Sequence, residues 1–140
     1  MTPNFTLAEL TITNHRSLDN TPDPAARANL QRLAVFLELV KDRLGGRPIM
    51  VNSAYRSAAV NAACGSRETS QHRLGCAADV RVPGMTPDAV VRAVMASGLA
   101  YDQIIREFDA WTHISIPNIP TAAPRKSALI IDRAGTRAFA

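Results

Sequence analysis

Two histidines and an aspartate carry the most specific chemistry this sequence offers. In Ser70-Gln-His-Arg-Leu-Gly-Cys-Ala-Ala-Asp79, His72 and Asp79 are separated by a short polar stretch. Both are common ligands of divalent metals. Gly75, between them, gives the chain freedom to turn sharply. A third residue of ligand type, His113, stands in Trp111-Thr-His-Ile-Ser115. On spacing alone, a loop histidine and a capping aspartate are the more ordinary reading of the first pair. His15, in the polar stretch 11–22, reads as solvated.

The elements that must position these residues are punctuated by caps and glycines. Thr6 followed by Glu9 fits a capping box opening a helical turn over Phe5–Leu10. Asp23-Pro24 is a helix start, with Asp as N-cap and Pro in the first turn. Ala26, Leu30, Leu33, Leu37, Val40 and Leu44 then recur three and four apart, which predicts one core-facing stripe of a long helix ended by Gly45-Gly46. Further on, the pattern predicts a strand at 48–51, a turn at 52–56, a helix at 57–64 and a loop at 65–76. A strand at 78–82 and a helix from about 86 to 97 follow. Tyr101–Phe108 and Trp111–Ile116 read as two strands joined by a tight turn, and Ala128–Asp132 with Thr136–Phe139 as a last hairpin. Separate helices and hairpins predict an α+β domain, a single one spanning 1–140.

Composition bounds the setting. The chain is 46% hydrophobic and 20% charged, ordinary for a globular protein. It lacks the run of about 18 apolar residues that a membrane span needs. Met1–Leu10, with Pro3, Asn4 and Glu9, has no basic start followed by an apolar stretch, so it does not read as a secretory signal. The expected setting is a host cytoplasm, with release at lysis, or a virus particle. Sixteen basic and 12 acidic residues leave a formal charge of +4. The arginines are scattered, with no basic stripe interleaved with aromatics, so neither nucleic acid nor membrane is expected as a partner. Cys64 and Cys76 form no CxxC pair and read as small buried side chains.

Three blocks, in order, resemble the zinc D-alanyl-D-alanine peptidases. They are Val51-Asn-Ser-Ala-Tyr-Arg-Ser57, Ser70-Gln-His to Ala78-Asp79, and Tyr101-Asp-Gln-Ile-Ile to Trp111-Thr-His-Ile-Ser. That group includes the lysostaphin-type enzymes and the hedgehog signalling domain. The resemblance runs from about Phe5 to Phe139, and its spacing is similar to the short single-domain branch of phages and prophages. It implies a small antiparallel sheet flanked by helices. It also implies Zn²⁺ held by His72, Asp79 and His113 with a fourth position open, and a peptide bond between D-amino acids of peptidoglycan as substrate. Arg56 is implied as the anchor for a substrate carboxylate or carbonyl, with Ser70 and Gln71 as further substrate contacts. Tyr55 and Trp111 flank the cleft or belong to the core.

The chain departs from the family at one point. Well-known branches carry an acid three residues before the last His, and Ala110 stands there. Glu107 and Asp109 remain nearby. If 108–110 form the turn, alternation puts Ile105, Glu107, Trp111 and His113 on one face and Asp109 at the turn tip. Glu107 is therefore the expected general base. The leading expectation is a monomeric zinc peptidase of endolysin type, acting as carboxypeptidase or endopeptidase. A non-catalytic virion component keeping the zinc fold is the alternative, and Ala110 is the feature that favours it.

Overall fold

The computed structural model describes residues 1–139. Its elements follow the local signals closely. Helix α1 (Leu7–Leu10) opens on the Thr6–Glu9 capping box. Helix α2 (Pro24–Arg43) opens on Asp23, whose side chain accepts from the Ala26 N–H at 2.8 Å. Its stripe, Ala26 through Leu44, is buried at every expected position. Strand β1 is Met50–Ser53, and helix α3 (Ala58–Ala63) is capped by Ser57. Within the stretch read as a loop lies a 3-10 turn, Gln71–Leu74. Strand β2 (Ala77–Arg81) and helix α4 (Pro87–Ala96), capped by Thr86, come next. Strands β3 (Gln103–Glu107) and β4 (Trp111–Ser115) form the hairpin that carries His113. Strands β5 (Ser127–Asp132) and β6 (Gly135–Ala138) form the last one. Among the described residues, no helix is long and apolar enough to cross a membrane.

The fold class is α+β, as expected, but the sheet is neither small nor wholly antiparallel. Among the described residues, six strands lie in the order β1-β2-β4-β3-β5-β6, and β3 and β5 run parallel. The reason lies at the start of β3. Gln103 pairs with Ser115, where β4 ends, and with Ser127, where β5 begins. The chain leaves β4 on one side of β3 and, after residues 116–126, re-enters on the other side at the same level. It must then travel in the direction of β3. Buried Asp102 secures this crossover. Its carboxylate accepts from the Arg125 backbone N–H at 2.9 Å and from the Arg125 guanidinium at 2.7 and 3.0 Å.

Alternation divides the two faces of the sheet. Ala78, Val80, Ile104 and Ile114 join the core with α2 and α4. Asp79 and His113, directly opposite each other in the β2–β4 ladder, lie on the other face.

The 3-10 turn reaches β2 through Gly75, in left-handed conformation (φ 77°) and packed against α2. A Cβ placed there would lie 2.7 Å from the Ala26 carbonyl oxygen. At Gly65, also left-handed, a Cβ would meet nothing within 4 Å. Gly65→Ala is therefore expected to cost only the left-handed backbone term, about 1–2 kcal/mol. Gly75→Ala should cost clearly more, because backbone cannot yield as a flexible side chain does. Urea denaturation of the two variants checks this, and equal losses would show that α2 gives way.

Candidate metal centre

Three elements of the chain converge on the non-core face of the sheet. The 3-10 turn supplies His72, β2 supplies Asp79 and β4 supplies His113. All three are buried. One potential ligand atom from each lies within 4.8 Å of the others. Asp79 Oδ1 is 3.4 Å from His72 Nε2 and 3.0 Å from His113 Nδ1. Two atoms bound about 2.1 Å from a tetrahedral ion would lie about 3.4 Å apart.

The donor set fits a cation. His72 Nδ1 lies 2.7 Å from the Ala54 carbonyl oxygen, which can only accept, so the proton of a neutral ring belongs on Nδ1. Burial pushes the His72 pKa down and favours that neutral ring. Its Nε2 then turns a lone pair toward a carboxylate oxygen with no proton between them. Such an arrangement asks for a positive charge at the gap. The carbonyl also fixes the ring orientation, as outer partners do for metal-binding histidines.

Arg56 holds the far side of Asp79. Its Nη2 donates to Oδ2 at 3.1 Å, while Nε donates to Ser53 Oγ and Nη1 to Ser66 Oγ, both at 3.0 Å. This leaves Oδ1 for the two histidines. The Arg56 backbone N–H donates to the His72 carbonyl at 3.0 Å, tying the chain after β1 to the turn that carries the first histidine. Arg56 lines the cleft, yet its side chain is committed to the aspartate rather than free on the surface.

The cleft, about 330 Å³, is also walled by Ser70, Glu107 and Trp111. Glu107 pairs with Trp111 at the end of the hairpin. Its Oε1 lies 4.0 Å from His113 Nδ1, and the side chain is 18% exposed. Burial, and after it the charge of Asp79, pushes its pKa above the ordinary carboxylate value. Asp109, 70% exposed, pairs with Arg106 Nε at 3.1 Å instead. Ser70 caps the 3-10 turn, its Oγ accepting from the His72 N–H.

The structure separates other expected residues from the site. Gln71 does not line the cleft. Its Nε2 donates to Asp102 Oδ2, the Ile116 carbonyl and Asn118 Oδ1 at 3.0, 3.0 and 2.8 Å. Successive side chains of a 3-10 turn diverge by about a third of a turn, so directing His72 inward sends Gln71 elsewhere. Tyr55 is core. Cys76 is buried as expected, but Cys64 is exposed and lies at the cleft, so its reading as a buried side chain does not hold. Cys64 is the C-cap of α3, just past the last helical residue, and Gly65 follows it in left-handed conformation. Ser53, Ser66 and the Ala54 carbonyl were not legible as site groups. Ser53 lies inside the Val51–Ser57 block, but nothing local marks Ser66, and a backbone carbonyl carries no sequence signal.

A family model described as Peptidase M15 matches residues 3–115. The chain belongs to the peptidase M15 family. M15 peptidases are metallopeptidases and use zinc. No curated protein matches the chain. The M15 match takes in His72, Asp79, His113, Arg56 and Glu107, and it ends where β4 ends.

If the cluster is the metal site of this M15 chain, His72→Ala, Asp79→Ala and His113→Ala should each reduce bound zinc from about one per chain to a small fraction. Elemental analysis after equilibrium dialysis measures this. Full occupancy in all three variants would remove the cluster from consideration.

Proposed function

We propose that this M15 peptidase uses zinc to hydrolyse peptide bonds between D-amino acids in the stem peptides or cross-bridges of peptidoglycan, as a carboxypeptidase or an endopeptidase. The observation that carries the reading is the convergence of His72 Nε2, Asp79 Oδ1 and His113 Nδ1, with the Glu107 carboxylate at the same cleft. His72, Asp79 and His113 hold the ion. Zinc, when bound, polarises a carbonyl and makes water more acidic.

The chain's own groups do the rest. Glu107 takes a proton from the attacking water and passes it to the departing amine. A carboxyl whose pKa is raised by burial suits both tasks better than an exposed one. Arg56 keeps Asp79 oriented, and its N–H groups not engaged by Ser53, Ser66 and Asp79 are available to a substrate oxygen. Ala110 then needs no acid, because hairpin geometry brings Glu107 to the cleft in its place. A role at lysis or in a virus particle accords with this reading.

Glu107→Gln, compared with wild type at equal zinc content, should lose about 10²- to 10⁴-fold in kcat. Asp109→Asn should lose little. The base must be deprotonated, so wild-type kcat/KM should fall as pH drops through the pKa of Glu107, which burial raises and a nearby zinc ion lowers. Mass spectrometry of muropeptides released from purified sacculi gives rate and bond together. An active Glu107→Gln beside an inactive Asp109→Asn would reverse the assignment.

A further inference from the structure

The hairpin that delivers His113 turns on residues that do not favour its shape. Phe108 (φ 53°) and Asp109 (φ 50°) are both left-handed, and the Ala110 N–H closes on the Glu107 carbonyl at 3.0 Å. Asn-Gly or Asp-Gly is the usual choice for such a turn. Asp tolerates this backbone, but a bulky residue there is a true outlier. Backbone bonding does not require Phe, since its N–H, donated to the Ile131 carbonyl at 2.8 Å, would be kept by Asn. The core does not require it either, because Phe108 is 49% exposed. Strain retained beside a candidate active site points from structure toward function.

The ring has two neighbours of interest. On one side it packs on Trp111, with centroids 5.8 Å apart and planes inclined by 40°. Trp111 lines the metal cleft, so the two rings form an aromatic surface leading out of it. On the other side Phe108 borders a depression of about 470 Å³ between the tips of the two hairpins, shared with Asp109, Asp132, Arg133 and Ala134. The acids there are already engaged. Asp109 pairs with Arg106 at 3.1 Å, and Asp132 takes both ends of the Arg137 guanidinium at 2.9 Å. Among the described residues, Arg133 has no carboxylate within salt-bridge distance. The depression is therefore lined by an apolar ring and by Arg133, whose guanidinium pairs with no carboxylate among the described residues.

We propose that Phe108 and Arg133 form an accessory substrate subsite for a carboxylate-bearing residue flanking the scissile bond. The C–H groups of that residue lie on Phe108, and its carboxylate is held by Arg133. This rests on the peptidoglycan-peptidase reading and adds to it a preference for acid over amide in the flanking residue.

The test uses the zinc-loaded full chain and two synthetic stem peptides, identical except that the flanking side-chain carboxylate is free in one and amidated in the other. Wild type should show a KM about tenfold lower for the acid. Arg133→Gln should bring the acid's KM to that of the amide, with the change in KM rather than kcat. Phe108→Asn should raise KM for both peptides, and Phe108→Tyr should restore it. Equal KM values in wild type, or a preference that survives Arg133→Gln, overturn the subsite. So does a wild-type KM in Phe108→Asn. If neither peptide is cut, the peptidase reading is at fault, and calorimetric binding of the acid peptide decides the subsite. Binding lost in Arg133→Gln supports it, and no binding by wild type overturns it.

Discussion

Asp79 is a buried carboxylate, and much of the structure on its side of the sheet answers that fact. An ionised group taken out of water without compensation costs several kcal/mol. Here Oδ2 meets the Arg56 guanidinium and Oδ1 meets two imidazoles. Those partners come from the segment after β1, the 3-10 turn and β4, so the one charge gathers three parts of the chain. Breaking such a pair from one side typically costs about 3–5 kcal/mol. A cation between Oδ1 and the imidazole nitrogens would balance the same charge, so a metal would serve the fold as well as the proposed site.

The sheet makes this gathering possible. Asp79 opposes His113 on one side and Ser53 on the other, so β1, β2 and β4 each bring one group to the same level. A slip of one residue would put Ala78 or Val80 in the cleft and the carboxylate in the core. Burial of the other face against α2 and α4 keeps the register in place. The site thus depends on a stripe of leucines that never touches it. On the turn side, Gly75 lets His72 approach by packing closely on α2, and the Asp102–Arg125 clamp receives Gln71.

At the β3–β4 hairpin the carboxylate lining the cleft is Glu107, not the residue three before His113. A carboxylate expected three residues before His113 is replaced by Ala110. The turn over Phe108 and Asp109 places Glu107 opposite Trp111, and strand alternation turns it to the cleft. On the proposed reading, what matters chemically is the location of the carboxylate relative to His113, which Glu107 supplies at 4.0 Å.

Most of the elements were legible because their causes are local. Caps at Thr6, Asp23, Ser57 and Thr86 satisfy N–H groups only a few residues away, and the α2 stripe repeats within one helix. The parity that separates Glu107 from Asp109 is local in the same sense, whereas the joint reading of His72, Asp79 and His113 as a ligand set comes from the family resemblance and not from their spacing. Other features depend on residues far apart in the chain meeting in space. The sequence alone does not show that Arg56 faces Asp79, that the Ala54 carbonyl sets the His72 tautomer, or that Ser66 completes the clamp. Nor does it show Gln71 turning to Asp102, Cys64 lying at the cleft, or β5 running parallel to β3. Propensity and periodicity act over a few residues, whereas these contacts are selected by sheet register and by the balancing of buried charge, which exist only once the chain has closed on itself.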